Sequence, residues 1–275
     1  MADEVLQKSR IGFIGCGAMA RALAGGLVES GVAAAQIVAS DPVRAAREAF
    51  EAATGARAIA RNDEVVAGAD VVVLAVKPGA VEAVLTALAP EPAARPLWIS
   101  IAAGVPLEAL ARALPDGARI VRTMPNTPAL VGAGATAYYP GPGVDEADDR
   151  LATAVLDAAG WSWRAPSEAL LDAVTGLSGS GPAYVFLILE ALADAGVRQG
   201  LPRDAAQAFA TRTLLGAAKL ALETGTHPGV LKDQVTSPGG TTIAGLEQLE
   251  AHGVRAAIYA AVRAATERSR AMRDG

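Results

Sequence analysis

The chain has 275 residues, enough for two domains at roughly 150 residues each. At 52% hydrophobic and 19% charged it holds enough apolar material for a sizeable core and is not a disordered chain. Its 24 basic and 29 acidic residues give a net charge of −5, which leaves no basic footprint for nucleic acid.

A single cysteine, Cys16, excludes an internal disulfide framework and any multi-cysteine metal site. Met1 to Arg10 is polar and acidic, with no apolar segment of the signal-peptide kind. The unbroken apolar run Ala183 to Leu189 is far short of the ~20 residues that span a bilayer. The expectation is a cytoplasmic protein that engages neither membrane nor nucleic acid and carries no metal.

In chain order, Arg10 to Ile14 is a short β-rich run that breaks at Gly15. It leads into a helix from Met19 to Ser30, where Leu23 and Leu27 recur at i, i+4. Strands follow at Gln36 to Ala39, Ala56 to Ala60, Asp70 to Val76, Pro96 to Ile101 and Ala118 to Thr123. Helices fall among them at Pro42 to Ala53, Gly79 to Leu88 and Pro106 to Leu114. Such alternation argues for a parallel sheet of βαβ units. Two further strands, Gly134 to Tyr139 and Gly160 to Arg164, flank a helix from Val144 to Ala159.

Beyond Pro166 only helical spacing remains. The helices are Ser180 to Gln199 (closed by Gly200), Pro202 to Glu223, His227 to Val235, Thr242 to Glu250 and Val254 to Met272. Arg263, Arg268, Arg270 and Arg273 give the last helix a basic end that suits its dipole. Acidic and basic residues balance from Ala169 onward, so the net charge belongs to the first part of the chain. Ser180 to Leu189 has almost no polar face. A helix apolar all round must be buried, and a small helical domain has few places to hide it; a second copy of the chain supplies one. The predicted fold is α/β: a Rossmann-type parallel-sheet domain over residues 1–166, then an all-α substrate and dimerisation domain over 167–275.

Gly15-Cys16-Gly17-Ala18-Met19-Ala20 reads G-x-G-x-x-A after a strand and at the start of a helix. Gly15 permits the tight turn and Gly17 lets a pyrophosphate approach the backbone. Ala20 keeps the helix close to the sheet, and the free N–H groups at the helix start favour the anion. The alternative is a plain tight βα turn, with Cys16 an inert filler. At the next strand end stand Ser40, Asp41 and, one turn on, Arg44. Asp41 suits the ribose 2′-hydroxyl of NADH, whereas Arg44 forks onto the 2′-phosphate of NADPH. NADPH is favoured, with NADH possible. Ala75, Val76, Lys77 and Pro78 close the fourth strand, where a switch-point crevice opens. Lys77 reads as a strand-end cap touching the cofactor's backbone, or less simply as a catalytic acid.

Ser237-Pro238-Gly239-Gly240-Thr241-Thr242 precedes a helix and offers a concave set of N–H donors suited to a carboxylate. Helix capping by Thr241 or Thr242 is the plain alternative. Asn126, in the proline-bounded loop Met124 to Ala129, points at a ligand or forms a turn. His227 before Pro228 reads as helix-start chemistry and His252 before Gly253 as a C-terminal cap.

These blocks together resemble pyrroline-5-carboxylate reductases: Ile11 to Ala20 (IGFIGCGAMA), Ala75 to Pro78 (AVKP), Met124 to Ala129 (MPNTPA), Asp172 to Tyr184 (DAVTGLSGSGPAY) and His227 to Leu246 (HPGVLKDQVTSPGGTTIAGL). The resemblance covers nearly the whole chain. It implies reduction of the cyclic imine 1-pyrroline-5-carboxylate to L-proline by NAD(P)H, the last step of proline synthesis, in a homodimer that in this family often builds decamers. It implies that Ile14 to Ala20, Ser40, Asn62, Ala75 to Pro78 and Ala103 bind the dinucleotide. Ser237, Gly239, Gly240, Thr241 and Thr242 would hold the substrate, with Thr242 nearest the imine and both subunits contributing to the site. Gly225 departs from the pattern, since some relatives carry glutamate there.

The implied chemistry suits a chain poor in candidate acids. A ketone needs a proton donor for its developing alkoxide, whereas a cyclic imine binds already protonated. Thr242 would then orient and polarise rather than transfer an obligatory proton. A β-hydroxyacid dehydrogenase is the nearest rival, and Gly176, Gly179 and Gly181 match its glycine spacing. Val185, however, stands where that family has its acid/base lysine. A catalytically silent redox-sensing dimer is the second rival, and it has no use for the SPGGTT block.

Overall fold

The computed structural model describes residues 4–88 and 95–274, in two compact units, Met1–Ser180 with Ala264–Gly275 and, separately, Gly181–Arg263. The first unit is built on eight strands: β1 (Ile11–Ile14), β2 (Ile37–Ser40), β3 (Arg57–Ile59), β4 (Val71–Leu74), β5 (Leu97–Ser100), β6 (Arg119–Met124), β7 (Gly134–Pro140) and β8 (Gly160–Arg164). They lie in the order β3-β2-β1-β4-β5-β6-β7-β8. All neighbours are parallel except β6 and β7. That reversal follows from chain length: the connection from Pro125 to Ala133 is shorter than the dozen or so residues a parallel crossover needs.

Both faces of the sheet are covered, which explains why β4 reads Val-Val-Val-Leu with no polar alternation. Ile11, Phe13, Val71, Val73, Leu97 and Ile99 share one core with Leu23, Leu27, Phe50, Leu151 and Val155. These helical residues belong to α2 (Ala18–Glu29), α3 (Arg44–Thr54) and α7 (Glu146–Asp157). Ile14, Val72, Leu74, Trp98 and Ile120 form the opposite core with α5 (Val81–Thr86) and α6 (Leu107–Ala113). The period of two along each strand sorts the side chains between these cores. Phe13 and Phe50 tie the first together, with ring centroids 5.9 Å apart and tilted by 53°.

Three short helices lie outside the sequence expectations, α1 (Glu4–Lys8), α4 (Asn62–Gly68) and α8 (Leu170–Val174). At five and seven residues they show too little periodicity to read. α4 exists because of packing: a Cβ on Gly12 would lie 2.6 Å from Val65 Cγ1, so a glycine in β1 makes room for it. After α8 (Leu170–Val174) the helix widens into a π-turn over Thr175–Gly179, where the Ser180 N–H reaches the Thr175 carbonyl at 2.8 Å. The turn brings Gly179 against Met124, whose Cε would lie 2.5 Å from a Cβ at that position.

The second unit contains α9 (Gly181–Arg198), α10 (Arg203–Thr224), α11 (Pro228–Gln234), α12 (Thr241–Ala251) and the start of α13 (Val254–Asp274). α9 and α10 pack as an antiparallel pair, and Gly196 permits the approach: its Cβ would meet Ala206 Cβ at 3.2 Å. Gly200, at φ 100, ends α9's connection, and Gly225, at φ 61, closes α10. Gly225 is therefore a left-handed helix cap, a conformation that favours glycine. α9 leaves Phe186 and Leu187 about two-thirds exposed, and Phe209 and Leu215 of α10 are equally bare.

Candidate active site

The glycine loop is squeezed between two strand ends. Gly15 sits at φ 102, and a Cβ there would be 2.6 Å from the Ala75 carbonyl oxygen. Its N–H donates to the Ser40 carbonyl at 2.7 Å, and the Ala75 N–H donates to the Ile14 carbonyl at 2.8 Å. The loop thus lies where the order of strands reverses between β1 and β4, the place where open α/β sheets bind ligands. Ile14, Cys16 and Ala20 are buried, whereas Gly17 and Ala18 are exposed and Met19 is half-buried.

Three features make this helix start fit a dinucleotide pyrophosphate. No side chain caps α2, whose N-cap is Gly17, and its first turn holds no acid. Its first N–H groups therefore lack intrahelical acceptors. Around Gly17 no protein atom lies within 4 Å of where a Cβ would stand, so the space over that backbone is open.

At the end of β2 the Ser40 side chain is fully buried. Its Oγ donates to Asn62 Oδ1 at 2.8 Å and lies 3.3 Å from the Phe13 carbonyl. Ser40 thereby orients Asn62 instead of presenting a free hydroxyl. Asp41 uses both carboxylate oxygens on backbone N–H groups, those of Cys16 and Val43. Arg44, the first residue of α3, is exposed and pairs with Glu48 at 2.7 Å. An exposed i,i+4 pair of this kind contributes only about 0.3–0.5 kcal/mol, so the guanidinium is readily redirected to a stronger anion.

Burial pushes the Cys16 thiol up to about 12, with the Asp41 charge adding to the effect. The group stays protonated and chemically quiet at neutral pH, as its reading as a filler implied. Ala75 and Val76 are half-buried just beyond β4. Lys77 occupies the N-cap position of the 3-10 turn Pro78–Ala80 without a side-chain cap bond, its side chain exposed, and Ala103 lies half-buried beyond β5.

Asn126 resolves in favour of structure. Its Nδ2 donates to Ser178 Oγ at 3.0 Å, and its Oδ1 accepts the Ala135 N–H at 2.9 Å. His227 Nδ1 accepts the Gly229 N–H at 3.1 Å as the N-cap of α11, and His252 caps the end of α12. Both histidines do as expected.

In the second unit, α12 begins at Thr241 with Gly240 as its N-cap and no side-chain cap bond. Neither threonine caps the helix, so the plain alternative for this segment does not hold. Gly239 takes φ 67, and the Gly240 N–H donates to the Ser237 carbonyl at 3.1 Å. Ser237 Oγ would lie only 2.2 Å from a Cβ on Gly240, so a side chain there would displace the hydroxyl. The first N–H groups of α12 are left to an external acceptor, with Thr242 half-buried beside them. Among the described residues, no three His, Cys, Asp or Glu side chains converge as metal ligands.

Sequence reasoning named no role for the buried cluster of Asp172, Ser269 and Arg273. Asp172 lies 97 and 101 positions before its two partners, and no local spacing signals the cluster.

Comparison with known proteins agrees with both halves of the chain. The family described as "Pyrroline-5-carboxylate reductase dimerisation" matches residues 168–272. The family described as "NADP oxidoreductase coenzyme F420-dependent" matches residues 10–104. A pyrroline-5-carboxylate reductase of Methanosarcina acetivorans is 46% identical over 96% of this chain and 98% of its own length. The solved structure of the Coxiella burnetii pyrroline-5-carboxylate reductase superposes with a TM-score of 0.89 at 38% identity, covering 96% of this chain and 98% of that one. The Plasmodium falciparum pyrroline carboxylate reductase, solved with NADP bound, gives 0.86 at 31% identity over 97% and 99% of the two chains.

Proposed function

This chain belongs to the pyrroline-5-carboxylate reductase family and reduces 1-pyrroline-5-carboxylate to L-proline with NAD(P)H, and we propose how its residues divide that work. The observation that carries the proposal is a pair of uncapped helix starts, each behind a glycine turn: α2 behind Gly15–Gly17 and α12 behind Gly239–Gly240. One suits a pyrophosphate and the other a carboxylate.

Ile14 to Ala20 hold the pyrophosphate on the α2 amides. Ser40 positions Asn62, and Asp41 and Arg44 stand at the adenosine end, Arg44 meeting the 2′-phosphate of NADPH. Ala75 to Pro78 and Ala103 line the crevice beyond β4 and β5. The bound nucleotide supplies the hydride for the imine carbon. Ser237, Gly239, Gly240 and Thr241 hold the substrate carboxylate, and Thr242 orients and polarises the ring nitrogen. An iminium already carries its proton, so this arrangement needs no general acid. Its contribution is orientation, which lowers the entropic part of the barrier.

The chain self-associates through its helical part, as the dimerisation match over residues 168–272 indicates. On this reading the domains run 1–166 and 167–275, each site draws on two subunits, and dimers assemble into decamers in the cytoplasm. The helical run 170–198 has the length and composition to cross a membrane. We assign its bare apolar face to the second subunit, because the whole run lies within the dimerisation segment.

The test is loss of NADPH absorbance when 1-pyrroline-5-carboxylate is added to the purified protein. Turnover is expected. Oxidation of a 3-hydroxy acid in its place would restore the dehydrogenase reading, and NADPH binding without turnover would restore the sensor.

A further inference from the structure

Asp41 stands just beyond β2, where an acidic residue would ordinarily meet the ribose 2′-hydroxyl of a dinucleotide. Its carboxylate is already engaged. Oδ2 accepts the Cys16 N–H at 3.0 Å and Oδ1 accepts the Val43 N–H at 2.8 Å. The backbone around it is fixed as well: its own N–H donates to the Ile59 carbonyl at 3.1 Å, and Arg47 donates to its carbonyl at 2.7 Å. One anchored carboxylate thus joins the glycine loop to the segment that enters α3.

The loop needs such a tie. Gly15 holds a left-handed conformation at φ 102, and Cys16 is fully buried, so its N–H has no water to replace a lost acceptor. Two bonds fasten the loop to the end of β2, Gly15 to the Ser40 carbonyl and Cys16 to Asp41. The second is charge-assisted and the stronger in kind.

We propose that Asp41 is a positioning residue, which sets the Gly15–Gly17 loop to receive the pyrophosphate of either nicotinamide dinucleotide rather than reading the ribose 2′ position. The proposal rests on the assignment of that loop to the dinucleotide. It separates two tasks: Asp41 governs affinity for both nucleotides alike, and discrimination between them falls to Arg44.

The experiment uses the full-length protein as wild type, Asp41→Ala and Asp41→Asn. Dissociation constants for NADPH and NADH come from equilibrium fluorescence titration. The accessibility of Cys16, the chain's one cysteine, is read separately from its labelling rate by a thiol reagent. Asp41→Ala is expected to raise both constants by about tenfold, the worth of one charge-assisted bond, leaving their ratio within about twofold. Cys16 should be labelled faster in the same variant. Asp41→Asn keeps one amide oxygen as acceptor and should fall between, and it carries the comparison if Asp41→Ala does not fold. A shifted ratio, with NADH alone weakened or NADPH improved, would overturn the proposal in favour of ribose reading. Unchanged constants with unchanged labelling would overturn it as well. A wild-type protein that bound neither nucleotide would instead remove the dinucleotide assignment itself.

Discussion

Ser269 Oγ, near the end of α13, donates a 2.8 Å hydrogen bond to Asp172 Oδ1, 97 positions earlier in α8. Asp172 is fully buried, and its other oxygen pairs with Arg273. One carboxylate therefore fastens the C-terminal end of the chain to the helix that follows the sheet. Removing it takes this carboxylate from the buried Ser269 hydroxyl and from the Arg273 guanidinium. Asp172→Ala is expected to lower stability by about 3 kcal/mol and Ser269→Ala by about 1 kcal/mol. The double variant should cost less than the sum, because the two share one interaction. Urea unfolding midpoints measure all three, and a loss below about 0.5 kcal/mol for Asp172→Ala would show that the cluster does not hold this end.

Arg44 is exposed, with only a surface partner in Glu48. Arg44→Ala should therefore leave the fold intact and raise the KM for NADPH by about tenfold or more, with little change for NADH, since a guanidinium–phosphate contact is worth roughly 1.5–3 kcal/mol. The ratio of the two Michaelis constants is the readout. An unaltered ratio removes Arg44 from cofactor choice.

Thr242 lies in the first turn of an uncapped helix, beside amides that hold the carboxylate on the proposed reading. If its hydroxyl only orients a protonated imine, Thr242→Ala should reduce kcat by about tenfold, the worth of one hydrogen bond, and Thr242→Ser should restore most of it. Steady-state kinetics at saturating substrate decide the matter. Complete loss with normal folding and normal NADPH binding would assign obligatory proton transfer to this side chain.

The Cys16 thiol is pushed up from 9.0 to about 12, first by burial and then by the Asp41 charge. The native state thus holds the thiol proton more tightly than the unfolded chain. The corresponding stability is fully present below pH 9 and is lost as pH rises toward 12. A Cys16→Ala variant should show a flatter decline over that window in denaturant titrations. Equal slopes for the two proteins would refute the linkage.

Leu187 and Phe186 lie bare on α9, in the segment that matches the dimerisation family. A charge placed there cannot be buried cheaply. Leu187→Glu should weaken self-association by about 100-fold, the scale of an interface hot spot, and abolish turnover with it. Sedimentation velocity gives the mass. A variant with wild-type mass and activity would place the seam elsewhere.

Much of the fold is legible in the residues. The glycine turn before Ala18, the four consecutive apolar residues of β4 and the loss of strand spacing beyond Pro166 lead to the two-part architecture without coordinates. α4 is not legible, because seven residues carry no clear period and the helix depends on the room Gly12 leaves for Val65. Nor is the reversal of β7, because the short connection between two expected strands fixes their direction only if they are sheet neighbours, which the strand order decides.

The division has one physical cause. Local chemistry determined what short segments can be: which glycines turn, which runs are buried on both faces, and which segments form helices. The roles of Ser40, Asp41, Asn126 and Asp172 rest on partners 22, 25, 52 and 97 positions away. Hydrogen bonds across such distances depend on how the chain returns upon itself, so the tertiary structure alone decided that Ser40 steadies Asn62, that Asp41 clasps the glycine loop, and that Asn126 supports the fold.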